Sequence, residues 1–259
     1  RSPLQTQSEA GASKSKNHGS IKGHEEELLR KAWIDAGFGA VLLANEEAEE
    51  VLGDLAECPA GAVPKMNLDR TMSPEKRPIN DMRDENQCGS KWGHPPAAQP
   101  KHAAVARQSL WWEARRPGIP QVAAKRDVPR AFKWHFLTPA SVAGFVTRLL
   151  KILVISLVMV FGWCGAPGEF IIWNAAARKH HTSFRPPQEA WNDVVPFSSR
   201  SLMDDGLVVE PMVGKRAHLS LDALDDAMHT VWGPGAIHQA GVDFTNKRTD
   251  LPDPKRIKA

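Results

Sequence analysis

The stretch Leu202-Met203-Asp204-Asp205-Gly206-Leu207-Val208-Val209 sets two adjacent carboxylates inside an otherwise apolar run. Like charges held among apolar side chains are costly unless a cation or a partner compensates them. The apolar residues on both sides predict a β-hairpin with Asp204 and Asp205 at its turn. Asp and Gly also favour ordinary solvated turns, so the dipeptide alone does not separate chemistry from a bend. A third carboxylate lies upstream, in Asp127-Val128-Pro129-Arg130-Ala131-Phe132. An Asp ending one strand beside an Asp-Asp turn on the next is the arrangement that two-metal phosphoryl transfer requires.

Composition sets the frame around this pattern. The chain has 259 residues, 42% of them hydrophobic and 24% charged, which is enough for a full core in one large or two small domains. The net charge is only +3, but basic residues cluster at Arg115-Arg116, Lys125-Arg126, Arg178-Lys179 and Lys255-Arg256, which fits a polyanionic partner. The three cysteines form neither a CxxC pair nor a small disulfide framework. That points to a reducing intracellular compartment, cytoplasm or nucleus. The ten histidines lack zinc-ligand spacing. The apolar run from Ile152 to Phe161 is too short to span a bilayer and reads as a buried strand, so no membrane partner is expected. The polar start carries neither a signal-peptide pattern nor an initiator Met, and the chain reads as a piece of a longer polypeptide.

Along the chain, residues 1–22 read as a disordered lead rich in Ser, Gln, Lys and Gly. Helical spacing is expected from Glu25 to Ala36, Glu46 to Ala56, Lys101 to Arg116, Thr138 to Leu150, Pro167 to about His181, and Ser220 to Trp232. Strands are expected at Val63–Met66, Arg77–Met82, Val122–Val128 and Ile152–Phe161, besides the acidic hairpin. Helices alternating with strands and hairpins predict an α+β fold, with a small antiparallel sheet backed by helices on one face.

Taken in order, these blocks resemble the fingers-and-palm part of a retroelement reverse transcriptase, with oomycete-type retrotransposons as the nearest pattern. The resemblance runs from about Pro59 to about Gln239. It implies a right-hand polymerase fold: N-terminal helices and fingers over residues 23–120, a palm over 121–240, a basic tail over 241–259, and an absent or incomplete thumb. The block Val63-Pro64-Lys65 with Arg77-Pro-Ile-Asn-Asp-Met-Arg-Asp-Glu-Asn86 is similar to the fingers hairpin. There the resemblance gives Lys65 and Arg77 the incoming triphosphate, which cations neutralise and Arg can grip bidentately. Asp127-x-x-x-Ala131-Phe132 matches the first palm motif. It implies that Asp127 ligates two metal ions, that the Val128 carbonyl assists one of them, and that Phe132 excludes a ribose 2′-OH. Phe161-Gly162-Trp-Cys-Gly-Ala166-Pro167 resembles the nucleotide-facing motif that opens a palm helix, with Phe161 where many retroviral relatives carry Gln. Leu202-Met203-Asp204-Asp205 is similar to the aromatic-x-Asp-Asp hairpin, with Leu202 at the aromatic position. It implies that Asp204 binds both ions, that Asp205 completes the acidic cluster, and that Met203 lies under the primer terminus.

The implied cofactor is a pair of Mg²⁺ ions, and the implied partners are an RNA or DNA template with its primer and deoxynucleoside triphosphates. Relatives carry a Lys after the helix that ends at Val231-Trp232-Gly233, whereas here none precedes Lys247. No palm-to-thumb turn occurs before Ala259. The alternatives are therefore a catalytically inactive relic that keeps the fold and binds nucleic acid, and an unrelated nucleic-acid-binding module built on the basic, Trp-rich helix 101–116.

Overall fold

The computed structural model describes residues 16–53, 55–67, 69–186 and 195–237. Its helices are α1 (Glu25–Asp35), α2 (Asn45–Leu52), α3 (Arg83–Cys88), α4 (His102–Arg115), α5 (Ala166–Ser183) and α6 (Arg216–Trp232). Its strands are β1 (Ala40–Ala44), β2 (Ala60–Met66), β3 (Met72–Asn80), β4 (Gln121–Asp127), β5 (Val146–Leu149), β6 (Ile152–Ser156), β7 (Ser199–Leu202) and β8 (Asp205–Pro211). Small antiparallel sheets mixed with helices make this the expected α+β class. Among the described residues, no helix is long and apolar enough to cross a membrane. The chain divides into two compact units, each discontinuous in sequence. One joins the residues up to Pro96 with Phe132–Ala166, and the other joins Ala97–Ala131 with the residues from Pro167 onward.

In the first unit, β1, β6 and β5 form one antiparallel sheet in that order, and β2 and β3 form a separate hairpin. Leu153 and Ile155 of β6 are buried with Val146 of β5 and Ala48 of α2. Glu46 and Glu47 lie in the first turn of α2, where the helix dipole favours anions. A second cluster buries Ile21 with Leu28, Ala60, Ala62 and Leu149. Asn17 secures this region: its Nδ2 donates to the Arg148 carbonyl (2.7 Å), and its Oδ1 accepts from the Ala60 N–H (2.8 Å). The end of the polar lead thus belongs to the core. Residues 1–15 and 238–259, which hold the rest of that lead and the basic tail, lie outside the described residues.

The helix expected from Thr138 to Leu150 does not form. Pro139–Gly144 is a 3-10 turn, and Val146–Leu149 pairs with β6. Val146 and Thr147 are β-branched and suit a strand, and a two-residue turn with Leu150 at φ 57° folds that strand onto β6. Pairing with β6 overrides the local helical spacing. The apolar strand expected to reach Phe161 ends at Ser156, with one isolated bridge beyond it at Val158.

In the second unit, β4, β8 and β7 form an antiparallel sheet in that order. The residue alternation along β4 assigns its two faces. Val122, Ala124 and Arg126 are buried, Ala123 is exposed, and Lys125 and Asp127 are half-buried. The buried face meets α6, whose Ala217, Leu221, Leu224 and Met228 recur at helical spacing and are all buried. Gly206 of β8 lies on this face opposite Arg126. A Cβ there would sit 3.5 Å from Leu224 and 3.4 Å from Met228, ordinary packing distances, which marks how directly α6 rests on this face. Arg126 also reaches α6, donating from Nη2 to Asp225 Oδ2 at 2.8 Å. At the far end of β8, Glu210 and Arg216 form a fully buried ion pair. His181 is buried beside them, and burial pulls its pKa from 6.5 down to about 4, so the imidazole is neutral at physiological pH.

Candidate active site

The face of the β4–β8–β7 sheet opposite α6 carries the acidic residues. Register places Asp127 of β4 directly opposite Asp205 of β8, and Asp205 opposite Leu202 of β7. Met203 and Asp204 form the two-residue turn between β7 and β8. Asp205 is therefore the first residue of β8 rather than part of the turn. Each of Asp127, Asp204 and Asp205 offers a carboxylate oxygen, and these oxygens all lie within 4.8 Å of one another.

Backbone contacts hold this geometry. The Val128 N–H donates to the Asp204 carbonyl (2.9 Å), tying the end of β4 to the turn. Asn174 of α5 donates from Nδ2 to the Met203 carbonyl (2.6 Å). Met203 has φ 54°, a left-handed conformation that is unusual for a side-chain-bearing residue. Such outliers persist only where the surroundings over-determine them, and here both turn carbonyls are gripped from neighbouring elements. The Val128 carbonyl accepts from the Ala131 N–H at 3.3 Å, which leaves it a lone pair for another partner.

The cluster is electrostatically costly as it stands. Burial raises the pKa of Asp204, and the carboxylates of Asp205 and Asp127 raise it further, while Lys125 opposes them. Lys125 sits two residues before Asp127 on the same face, and its Nζ pairs with Asp205 Oδ2. The other oxygen, Asp205 Oδ1, is buried without a hydrogen-bond partner. A donor set made of carboxylate oxygens, one of them orphaned, fits a hard divalent cation such as Mg²⁺.

The remaining candidate residues belong to the first unit. Lys65 lies at a bulge in the β2–β3 hairpin and pairs with Glu75 at 2.9 Å. Arg77 is exposed on β3, opposite Val63. Phe132 is buried, with its ring centroid 4.7 Å from that of Phe161, which is 55% exposed. Gly162 has φ 103°, and a Cβ there would come within 2.7 Å of the Asn80 carbonyl. Its own carbonyl accepts from Asn86 Nδ2 (2.8 Å), while Asn86 Oδ1 accepts from the Cys164 N–H (2.7 Å). The glycine is thus required by close approach of the β3 end as well as by its backbone angle. Gly162→Ala is expected to destabilise this unit by about 2–3 kcal/mol, read as a lower urea midpoint.

No known family profile matches the chain, and no curated protein matches it in sequence. Solved structures do. The native protease–reverse transcriptase of prototype foamy virus superposes with a TM-score of 0.53 at 15% identity, over 85% of this chain and 24% of the viral one. The foamy viral enzyme bound to double-stranded DNA gives 0.53 at 15% identity, over 86% of this chain and 32% of that one. Its complex with an RNA/DNA hybrid gives 0.55 at 12% identity, over 86% and 24%. The fold is reverse-transcriptase-like. The chain spans about a quarter to a third of the length of these viral proteins.

Three contributors to the described geometry escape a reading of the sequence. Asn174 and Asn86 act on backbone groups 29 and 76 residues away, with no local signal. Lys125 did carry one. Strand alternation separates it from Arg126 and places it on the face of Asp127, whereas counting charges groups Lys125 and Arg126 together as a basic pair.

Proposed function

We propose that the chain is the fingers-and-palm portion of a retroelement RNA-directed DNA polymerase, adding deoxynucleotides to a primer 3′-OH on an RNA or DNA template. The observation that carries this reading is the meeting of Asp127, Asp204 and Asp205 on the sheet face that α6 leaves uncovered. In this assignment residues 121–240 supply the palm, and the β2–β3 hairpin belongs to the fingers. Asp127 and Asp204 would hold Mg²⁺, with Asp205 and the Val128 carbonyl as further oxygen donors. Bound Mg²⁺ would lower the pKa of the primer hydroxyl and neutralise charge on the triphosphate. The chain's own residues orient the reactants. Arg77 and Lys65 grip the triphosphate, Phe132 excludes a 2′-OH, Phe161 and Gly162 face the nucleotide, and Met203 supports the primer end. The foamy viral enzyme has been solved with double-stranded DNA and with an RNA/DNA hybrid, which supports a nucleic-acid duplex as partner.

Primer extension on an RNA template by the purified chain tests this. Mg²⁺-dependent incorporation that Asp127→Asn removes supports the reading, and equal incorporation by Asp127→Asn refutes it. The pairing of Lys125 with Asp205 favours a second reading, a retroelement relic that binds duplex without turnover. Retarded migration of primer–template with no incorporation at any Mg²⁺ or Mn²⁺ concentration would select that second reading.

A further inference from the structure

The acidic cluster already holds a cation of its own. Lys125 and Asp127 are alternate residues of β4, so both side chains project from the face that α6 leaves uncovered. The ammonium pairs with Asp205 Oδ2 across the β4–β8 ladder, where Lys125 stands opposite Leu207, one step along the same face from Asp205. Lys125 also opposes the mutual repulsion felt at Asp204. Its neighbour Arg126 cannot share this role, because it faces α6 and pairs with Asp225. A divalent ion that uses both oxygens of Asp205 must displace the Lys125 ammonium, whereas one held by Asp127 and Asp204 need not. Two divalent ions together with the ammonium would crowd five positive charges against three carboxylates.

We propose that Lys125 is a tethered counter-cation for Asp205, leaving the cluster with one tightly held divalent ion and admitting a second only when the ammonium is displaced. This rests on the reading of the cluster as a metal site and assigns Lys125 a positioning role within it. The ammonium keeps Asp205 in place while the ion is absent. It also makes occupancy of the second position depend on something that draws Lys125 away, and the triphosphate of an incoming nucleotide, as a polyanion, has the charge to do so.

The test is a Mn²⁺ titration of the full chain without nucleotide, with free Mn²⁺ counted by electron paramagnetic resonance. The native chain is expected to bind one ion tightly. Lys125→Met, at a half-exposed strand position that accommodates an unbranched side chain, is expected to take up a second ion or to bind about ten- to a hundredfold more tightly. Lys125→Arg keeps the charge and is expected to bind as the native chain does. Equal number and affinity in the native chain and Lys125→Met, with both folded by circular dichroism, overturns the proposal while leaving the metal site intact. Binding that Asp204→Asn leaves unchanged, or no binding by any of these proteins, overturns the metal-site reading and this proposal with it.

Discussion

Asp204→Asn is expected to abolish nucleotide incorporation while making the metal-free chain more stable at neutral pH. The two effects have one cause. Asp204 lies at the turn with Asp127 and Asp205 close by, and burial together with those carboxylates raises its pKa above the ordinary 3.8. A carboxyl whose folded pKa is raised favours folding while protonated, and that stability is lost as pH rises from 3.8 through the higher folded value. At neutral pH the native chain therefore carries a penalty that the neutral amide lacks. The Asp204 carbonyl, which accepts from Val128 N–H, is a backbone group and survives the change. Loss of a metal-binding oxygen should lower primer extension by about a thousandfold or more. Thermal unfolding across pH 4 to 8 checks the other half, with native stability falling across the lower part of that range and the variant showing a flatter profile. A variant that unfolds earlier than the native chain at neutral pH would contradict the account of the cluster as a charged cost awaiting a cation.

Arg216→Met should cost about 3–5 kcal/mol, a large part of the stability of an ordinary domain. The Arg216 side chain is 2% exposed and that of Glu210 1%. Arg216 Nε donates to Glu210 Oε2 (2.6 Å), and its Nη1 and Nη2 donate to the carbonyls of Val195 (3.0 Å) and Pro196 (3.3 Å). The guanidinium also lies 4.7 Å from the ring centroid of Trp112 and 5.2 Å from that of Phe197. Removing it leaves the Glu210 carboxylate buried with Ser220 Oγ (2.9 Å) still donating to it but its cationic partner gone. Urea unfolding followed by circular dichroism reads the loss. Adding Glu210→Gln to Arg216→Met removes the stranded charge and should restore half of the loss or more. If the double variant is no more stable than Arg216→Met, the guanidinium acts through its aromatic packing rather than through the pair.

How legible these features are in the sequence depends on the range of the interaction that makes them. The meeting of Asp127 with Asp205 follows from strand pairing that is readable locally, and β4 forms where expected, whereas the hairpin turn expected at Asp204-Asp205 lies one residue earlier, at Met203-Asp204, which puts Asp205 on β8. The helix α6 is also readable from its apolar spacing, although it begins at Arg216, earlier than Ser220. The segment Thr138–Leu150 is not, because its helical spacing is an accident that pairing with β6 overrides. Phe161-Gly162 reads as a motif, but the physical demand on Gly162 comes from the Asn80 carbonyl, some eighty residues earlier in the chain. Asn174, which braces the Met203 carbonyl, is a single polar residue on a helix, and nothing local distinguishes it from a solvated one.

The sheet that carries the three carboxylates has its middle strand last in sequence: β8 follows β4 and β7, and each of them hydrogen-bonds to it and not to the other. On the ribosome, neither β4 nor β7 has its sheet partner until residues 205–211 have emerged. A nascent or prematurely terminated chain that stops before Asp205 would present two unsatisfied strand edges, the kind of surface that chaperones shield and that otherwise seeds aggregation.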